Sequence, residues 1–259
     1  MKLKDKVAII AGGTKGIGLG IALEFVREGA RVVVGGTTDK NGEAAIREIE
    51  AAGGEGLFVN CDVADLDDLD NIIEKTVDRF GRVDIYVANA GINDADKTHY
   101  LDITPEQYDR IMDVNLKGMF FGGQKAAQQM IAQGDGGVIV NMSSVNAYLA
   151  LDSQFVYTVS KGGIQQLTKV QAVALAPYKI KVNAMAPGPI ETDLMRRVGS
   201  DKQLMDTILS RTPIGRIGTP QECGRLAVFL ASDDSNFIFG QSIYIDGGRG
   251  FQAYPTPGY

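Results

Sequence analysis

The chain has 259 residues, 44% of them hydrophobic and 22% charged, with no biased tract, a composition that excludes disorder and fibres and asks for a folded core. Its formal net charge of −6 disfavours a phosphate-backbone partner, since nucleic-acid affinity depends on Lys and Arg displacing counterions. Cys61 and Cys223 are too few and too far apart for a disulfide scaffold, and no apolar run is long enough to cross a bilayer. The apolar run Val7–Ala11 is also too short for a signal peptide, so the expected location is the cytoplasm, with both cysteines as free thiols.

The elements alternate from the start. Short β-branched or apolar runs fall at Val7–Ala11, 31–35, 57–60, Ile85–Ala88, 138–142, 179–184 and Ser242–Ile245. Between most of them lie stretches of helical period at 17–28, 42–52, Leu66–Phe80, 106–131 and 155–176. Near-continuous apolar strands joined by helical crossovers are what a parallel sheet buried on both faces requires. The expected fold is therefore α/β: a Rossmann-type doubly wound parallel sheet flanked by helices, with residues 1–259 forming one domain.

The first strand runs into Gly12-Gly13-Thr14-Lys15-Gly16-Ile17-Gly18 and then a helix. Glycines let the backbone turn sharply and approach a pyrophosphate, which the free amides at the helix N-terminus stabilise. Gly12, Thr14, Lys15, Gly16, Ile17 and Gly18 are thus candidate dinucleotide contacts. At the end of the second strand, Gly35-Gly36-Thr37-Thr38 offers no acid before Asp39, and the alternative reading is that Lys15 is a solvated loop residue and Asp39 a cap of the helix beginning near Lys40. A carboxylate at this place would bind a ribose 2′-hydroxyl and repel a 2′-phosphate. Gly36, Thr37 and Thr38, with Lys15 nearby, favour NADP(H), and NAD(H) remains the alternative.

His99, the only histidine, follows a polar loop and is expected to be a surface residue. Asn115 falls inside the helical stretch 106–131, where an amide has below-average propensity and asks for a reason. Ser144 stands at the carboxyl end of the strand 138–142, where open α/β sheets place their ligands. Asn146, Tyr148 and Gln154 flank it with hydrogen-bonding groups. Tyr157 and Lys161 are spaced i, i+4, so they share a helix face; an ammonium there is expected to favour the phenolate and lower the phenol's pKa. The stretch 188–217 opens on Pro187-Gly188-Pro189 and closes with Gly215 and Gly218, with a helical pattern near 194–210. It is expected to be a substrate lid. The tail 251–259, rich in aromatics, Pro and Gly, either packs on a neighbouring subunit or frays.

The glycine spacing 12, 16, 18 resembles that of the short-chain dehydrogenase/reductase family, with Ala11 where the family usually has Thr. Asn115, Ser144, Tyr157 and Lys161 each match a position of that family's active-site tetrad, in order, and the likeness extends over essentially the whole chain. Asn89-Ala90-Gly91 resembles the family's turn after the fourth strand, with Ala88 replacing its first Asn. Asp62-Val63 resembles its adenine-contacting dipeptide, Pro187-Gly188, with Ile190 and Thr192, its nicotinamide-side segment, and Asp246-Gly247-Gly248 its terminal strand signature.

The resemblance implies an oxidoreductase that interconverts a secondary alcohol and a carbonyl by hydride transfer with NADP(H) or NAD(H) and uses no metal. Tyr157 would exchange a proton with the substrate oxygen and Ser144 would hydrogen-bond it. Lys161 would lower the Tyr157 pKa and bind the nicotinamide ribose, and Asn115 would hold a water. Ser144, Asn146, Gln154 and Tyr157 are the candidate substrate contacts, and a small polar substrate is expected. Reduction of 3-oxoacyl groups on a carrier protein ranks second, because the stretches that would grip an acidic carrier offer Asp135 and Tyr178, with Lys179 the only nearby cation. A non-catalytic dinucleotide-binding sensor is the rival from another class, and an intact tetrad argues against it. The family's habit of packing the helices at 106–131 and 155–176 across subunits implies a homotetramer.

Overall fold

The computed structural model describes residues 1–93, 98–151, 153–192, 195 and 201–251. Seven strands form one sheet in the order β3-β2-β1-β4-β5-β6-β7, with every neighbouring pair parallel. They are β1 (Val7–Ala11), β2 (Arg31–Gly36), β3 (Gly56–Asn60), β4 (Ile85–Ala88), β5 (Gly137–Met142), β6 (Ile180–Pro187) and β7 (Ser242–Ile245). All of β1, β4 and β6 are buried, as strands covered on both faces must be. The covering helices are α1 (Gly16–Arg27), α2 (Asp39–Ala51), α3 (Leu66–Phe80), α4 (Pro105–Met112), α5 (Gly118–Gln133), α6 (Phe155–Leu175), α7 (Lys202–Ser210) and α8 (Pro220–Ala231).

β1 lies between β2 and β4, so the chain leaves it toward one edge and later returns to the other side. The carboxyl ends of β1 and β4 therefore part at a crevice, the switch point where open sheets of this kind bind ligands. Ala11 and Ala88 are in register at that end, and the loops after them, 12–15 and 89–92, face one another.

The structure departs from the expected elements in places that matter for the site. The stretch 106–131 is two helices, α4 and α5, joined by a π-turn at Asp113–Lys117 in which the Gly118 amide donates to the Asp113 carbonyl. One extra residue in a helix leaves the apolar pattern nearly unchanged, so periodicity does not reveal it. The alternative reading of Asp39 as the cap of α2 does not hold: Thr38 is the N-cap, and the Asp39 carboxylate accepts from Asn60 Nδ2 at 2.7 Å. Lys179 adopts a left-handed conformation, φ 59°, ahead of β6, so that strand runs 180–187 rather than 179–184.

Residues 193–194 and 196–200 of the expected lid, and 252–259 of the tail, lie outside the described residues. Within the described part of the lid, α7 buries none of its residues. Arg249 donates to the Ile208 carbonyl at 3.1 Å and so ties that helix to the turn after β7. At the far end, Arg216 and the Thr219 amide both hydrogen-bond Glu222, holding its carboxyl down to about 2 and closing the α8 capping box. His99 is exposed and caps a short 3-10 turn through Nδ1, which accepts from the Leu101 amide at 3.3 Å.

Candidate active site

The crevice is a cleft of about 740 Å³ at the carboxyl ends of β1, β2 and β4. It gathers Gly12, Thr14, Lys15, Gly16, Ile17, Gly36, Thr37, Thr38, Asp62, Val63, Asn89, Ala90, Gly91 and Thr192, from segments far apart in the chain. Backbone builds most of it. Gly12 has φ +75°, and a Cβ there would stand 2.7 Å from Ala90 Cα, so only glycine lets the two loops meet. Asn89 Nδ2 donates to the Gly12 carbonyl at 2.7 Å and pins that approach. Gly18 lies behind the cleft, where a Cβ would come within 2.1 Å of the Gly12 oxygen; its role here is to let α1 pack on the loop. The α1 N-terminus, with Lys15 as its N-cap and no side-chain cap, opens into the cleft with its amides unsatisfied by the helix. A cleft of this volume, lined by bare helix amides, small side chains, hydroxyls and side-chain amides, fits a dinucleotide.

Three candidates of the nicotinamide-side segment do not line the cleft. Pro187 ends β6, the Gly188 amide donates to the Ile245 carbonyl, and Ile190 is buried and bridges to Gly218. Conversely, Asn41, Cys61, Ile92, Arg110 and Val114 line it without having been singled out. Cys61 and Ile92 adjoin recognised dipeptides and could have been found by extending them. Asn41, Arg110 and Val114 come from helix faces that only the packing brings there. Both cysteines are buried free thiols that burial pushes up to about 12, which leaves no thiolate chemistry at neutral pH.

Beyond Gly91 the character changes. A Cβ at Gly91 would lie 3.3 Å from Asn115 Oδ1 and 3.5 Å from Lys161 Nζ, so this residue joins the cleft to a cluster of buried polar side chains. Asn115, fully buried in the π-turn, accepts from the Ile92 amide at 2.8 Å and donates to the Ile92 carbonyl at 2.8 Å and Ser160 Oγ at 3.1 Å. Ser160 in turn donates to the Tyr157 carbonyl at 2.7 Å. Ser143 donates to the Lys161 carbonyl at 3.1 Å, and Lys161 Nζ to the Met142 carbonyl at 2.8 Å, stitching α6 to the end of β5.

Ser144 and Tyr157 hydrogen-bond through their side chains, and Lys161 Nζ sits 5.4 Å from the centre of the Tyr157 ring. Contrary to expectation, Lys161 does not lower the phenol's pKa. Burial raises the Tyr157 phenol above its ordinary value, and the Ser144 hydrogen bond is what opposes that rise. Lys161 is itself desolvated and pulled down to about 8, with its amine turned to the Met142 carbonyl. An amine that loses its proton near 8 is neutral over much of the alkaline range in which a phenol ionises, so it promotes phenolate less than a fixed ammonium does. Asn146 is buried next to Ser144: its amide N donates to Ser144 Oγ at 3.1 Å and its Nδ2 to Gln154 Oε1 at 2.7 Å.

A parallel seven-stranded sheet, a glycine cradle at its switch point and a Ser-Tyr-Lys-Asn cluster beside it define a nicotinamide-dependent oxidoreductase of CH–OH and carbonyl groups, and the chain belongs to the short-chain dehydrogenase/reductase family. The family model described as enoyl-(acyl carrier protein) reductase matches residues 11–249. The chain is 40% identical to an L-rhamnose 1-dehydrogenase (NAD(P)(+)) of Azotobacter vinelandii, over 96% of this chain and 98% of that one. It is 39% identical to a 3-oxoacyl-(acyl-carrier-protein) reductase of Thermotoga maritima, over 96% and 99%. A solved short-chain type dehydrogenase/reductase from Mycobacterium marinum superposes with a TM-score of 0.91 at 34% identity, covering 97% of this chain and 98% of that one.

Proposed function

We propose that this chain interconverts a secondary alcohol and its ketone on a small polar substrate, with NADP(H) the favoured cofactor and NAD(H) accepted. The observation that carries the reading is the continuity, through Gly91, between a dinucleotide-sized cleft and the Ser144–Tyr157–Lys161 cluster. The cleft residues would hold a nicotinamide dinucleotide, whose ring would supply or accept the hydride. Tyr157 gives its hydroxyl proton to the substrate oxygen in reduction and takes it back in oxidation. Ser144 donates to the same oxygen and lowers the cost of the phenolate. Lys161 is proposed to bind ribose and to hold the ring face. The Asn115 side chain is committed to Ile92 and Ser160, so its proposed contribution is to lock the 89–92 loop onto α6.

The NADP(H) preference is supported by Thr37, Thr38 and Asn41 lining the cleft while Asp39 is bound to Asn60. The remaining site assignments, Gly12, Thr14, Lys15, Gly16, Ile17, Gly36, Asp62, Val63, Asn89, Ala90, Gly91 and Thr192, rest on their shared cleft. Residues 188–217 are proposed as a lid, supported by the exposed α7 and its tethers at Arg249 and Glu222. Exposed Phe120 on α5 and Val159, Val170 and Val173 on α6 support a homo-oligomer, with a tetrameric mass in solution expected and a monomeric one overturning it. Two buried unpaired thiols fit a reducing compartment such as the cytoplasm. The test is direct: the purified chain should oxidise secondary alcohols with NADP+ and NAD+, and binding of either cofactor with no turnover on any alcohol or carbonyl would favour a sensor.

A further inference from the structure

Asn146 and Gln154 are held in a fixed relation. Asn146 is anchored by its amide N on Ser144 Oγ, and Gln154 is the N-cap of α6, its own amide donating to the Leu151 carbonyl and its carbonyl accepting from the Thr158 amide. Phe155, the next residue, packs against Tyr100 with ring centroids 5.5 Å apart and stiffens the helix start. The two side-chain amides meet at 2.7 Å across the gap between the β5 loop and α6. Each primary amide has an oxygen and an NH2 group, so one contact between them leaves one carbonyl and one NH2 unspent. Exchanging N and O on both amides leaves the same inventory.

No described residue takes up Asn146 Oδ1 or Gln154 Nε2. The sealed unpaired side-chain atoms among the described residues are Asn141 Oδ1 and Thr158 Oγ1, so the two free amide atoms reach solvent. An adjacent acceptor and donor match a hydroxyl, which donates and accepts at once; a ketone or ether oxygen would leave the acceptor unmet. Asn146 lies two residues from Ser144, which we assign to the reacting oxygen, and its backbone N–H donates to Ser144 Oγ at 3.1 Å.

We propose that Asn146 and Gln154 form an amide dyad that binds a hydroxyl on the carbon beside the reacting one, making the substrate a vicinal diol and the product an α-hydroxy ketone, the chemistry of polyols and sugars. This rests on the alcohol-oxidising reading above. One carbinol loses its C–H as hydride to the oxidised nicotinamide and its O–H proton to Tyr157, while the hydroxyl on the dyad is unchanged. A substrate without that second hydroxyl leaves the dyad unpaired once the site closes, which is how a site built for a hydroxyl rejects its deoxy analogue.

The experiment compares vicinal butanediol with sec-butanol in oxidation, and acetoin with butanone in reduction, for wild type, Gln154→Leu and Gln154→Glu. In wild type, kcat/KM for the dihydroxy or hydroxy-keto member should exceed that of its partner by ~10-fold or more, mostly through KM. Gln154→Leu should bring that ratio close to one. Gln154→Glu, which keeps an acceptor for Asn146 Nδ2 and loses the donor, should reduce it while preserving the local shape and so guards against misfolding. Equal use of both members by wild type, or an equal fall for both in the variants, overturns the dyad and leaves alcohol oxidation standing. Cofactor binding with no turnover of either pair, or of any other alcohol or carbonyl, overturns both.

Discussion

The cleft over β1, β2 and β4 and the polar cluster at the end of β5 are adjacent, yet they are built by opposite means. The cleft is shaped by what side chains leave out: bare helix amides and glycines whose Cβ would collide with neighbouring backbone. The cluster is shaped by what side chains put in, with Asn115, Ser144, Ser160 and Lys161 buried and each hydrogen-bonded to a neighbouring side chain or backbone group. A backbone-built site binds through fixed dipoles that no single side-chain truncation removes. A side-chain site concentrates its chemistry in a few atoms, and each is costly to desolvate. Substitutions in the two regions should therefore fail differently, in affinity on one side and in chemistry on the other.

Lys161→Met should give the largest effect among tests that bridge the two, since it is assigned to both. Turnover should fall by ~10²-fold or more, the range of acid–base contributions, and the cofactor dissociation constant should rise with it. A fall in turnover with unchanged cofactor affinity would confine Lys161 to the chemical cluster. The same variant tests the burial of the amine. Its folded pKa is about 8, below the ordinary 10.5, so the unfolded chain binds more protons between those values and the cost of burying the charge is fully present below pH about 8. Wild-type stability relative to Lys161→Met should thus rise as pH climbs from about 8 toward 10.5, and thermal melts that stay parallel across that window would contradict the burial account.

Ser144→Ala sharpens the chemical side alone. It removes the hydrogen bond that opposes the burial-raised Tyr157 pKa, so the alkaline limb of alcohol oxidation should move to higher pH as turnover drops. Cofactor affinity should change by less than about threefold, and a limb that stays in place would shift the pKa control to another group. The smallest effect belongs to the cleft. Thr37→Asp adds a carboxylate where Thr37 lines it and should shift the kcat/KM ratio toward NAD by about tenfold, through KM. Thr37 is a better probe than Gly36, where a Cβ would stand 2.9 Å from the Thr14 side chain. An unchanged ratio would place the ribose contact elsewhere.

The fold was legible because buried parallel strands need unbroken apolar runs, and Val7–Ala11 or Ile85–Ala88 can hardly be anything else. Most of the cleft was legible for a related reason: glycine spacing after a first strand is a local backbone constraint. What the sequence hid depends on packing. The π-turn at Asp113–Lys117 leaves the helical pattern intact, and Arg110 and Val114 enter the cleft only because α4 turns there. The Asp39–Asn60 contact joins residues 21 apart and displaces a plausible cap. The Tyr157–Lys161 spacing correctly placed the pair on one face, but the sign of the phenol's shift follows from how much water the fold removes, which i, i+4 geometry does not encode.

The central claim is that binding resides in the cleft and proton transfer in the Tyr157 hydroxyl, and Tyr157→Phe separates them with the loss of one oxygen atom. Cofactor titration of this variant by fluorescence, paired with its kcat for alcohol oxidation, should return a dissociation constant within about threefold of wild type and a kcat reduced by at least ~10²-fold. A variant retaining more than about a tenth of wild-type kcat, or one that loses cofactor and turnover in equal measure, would contradict the division.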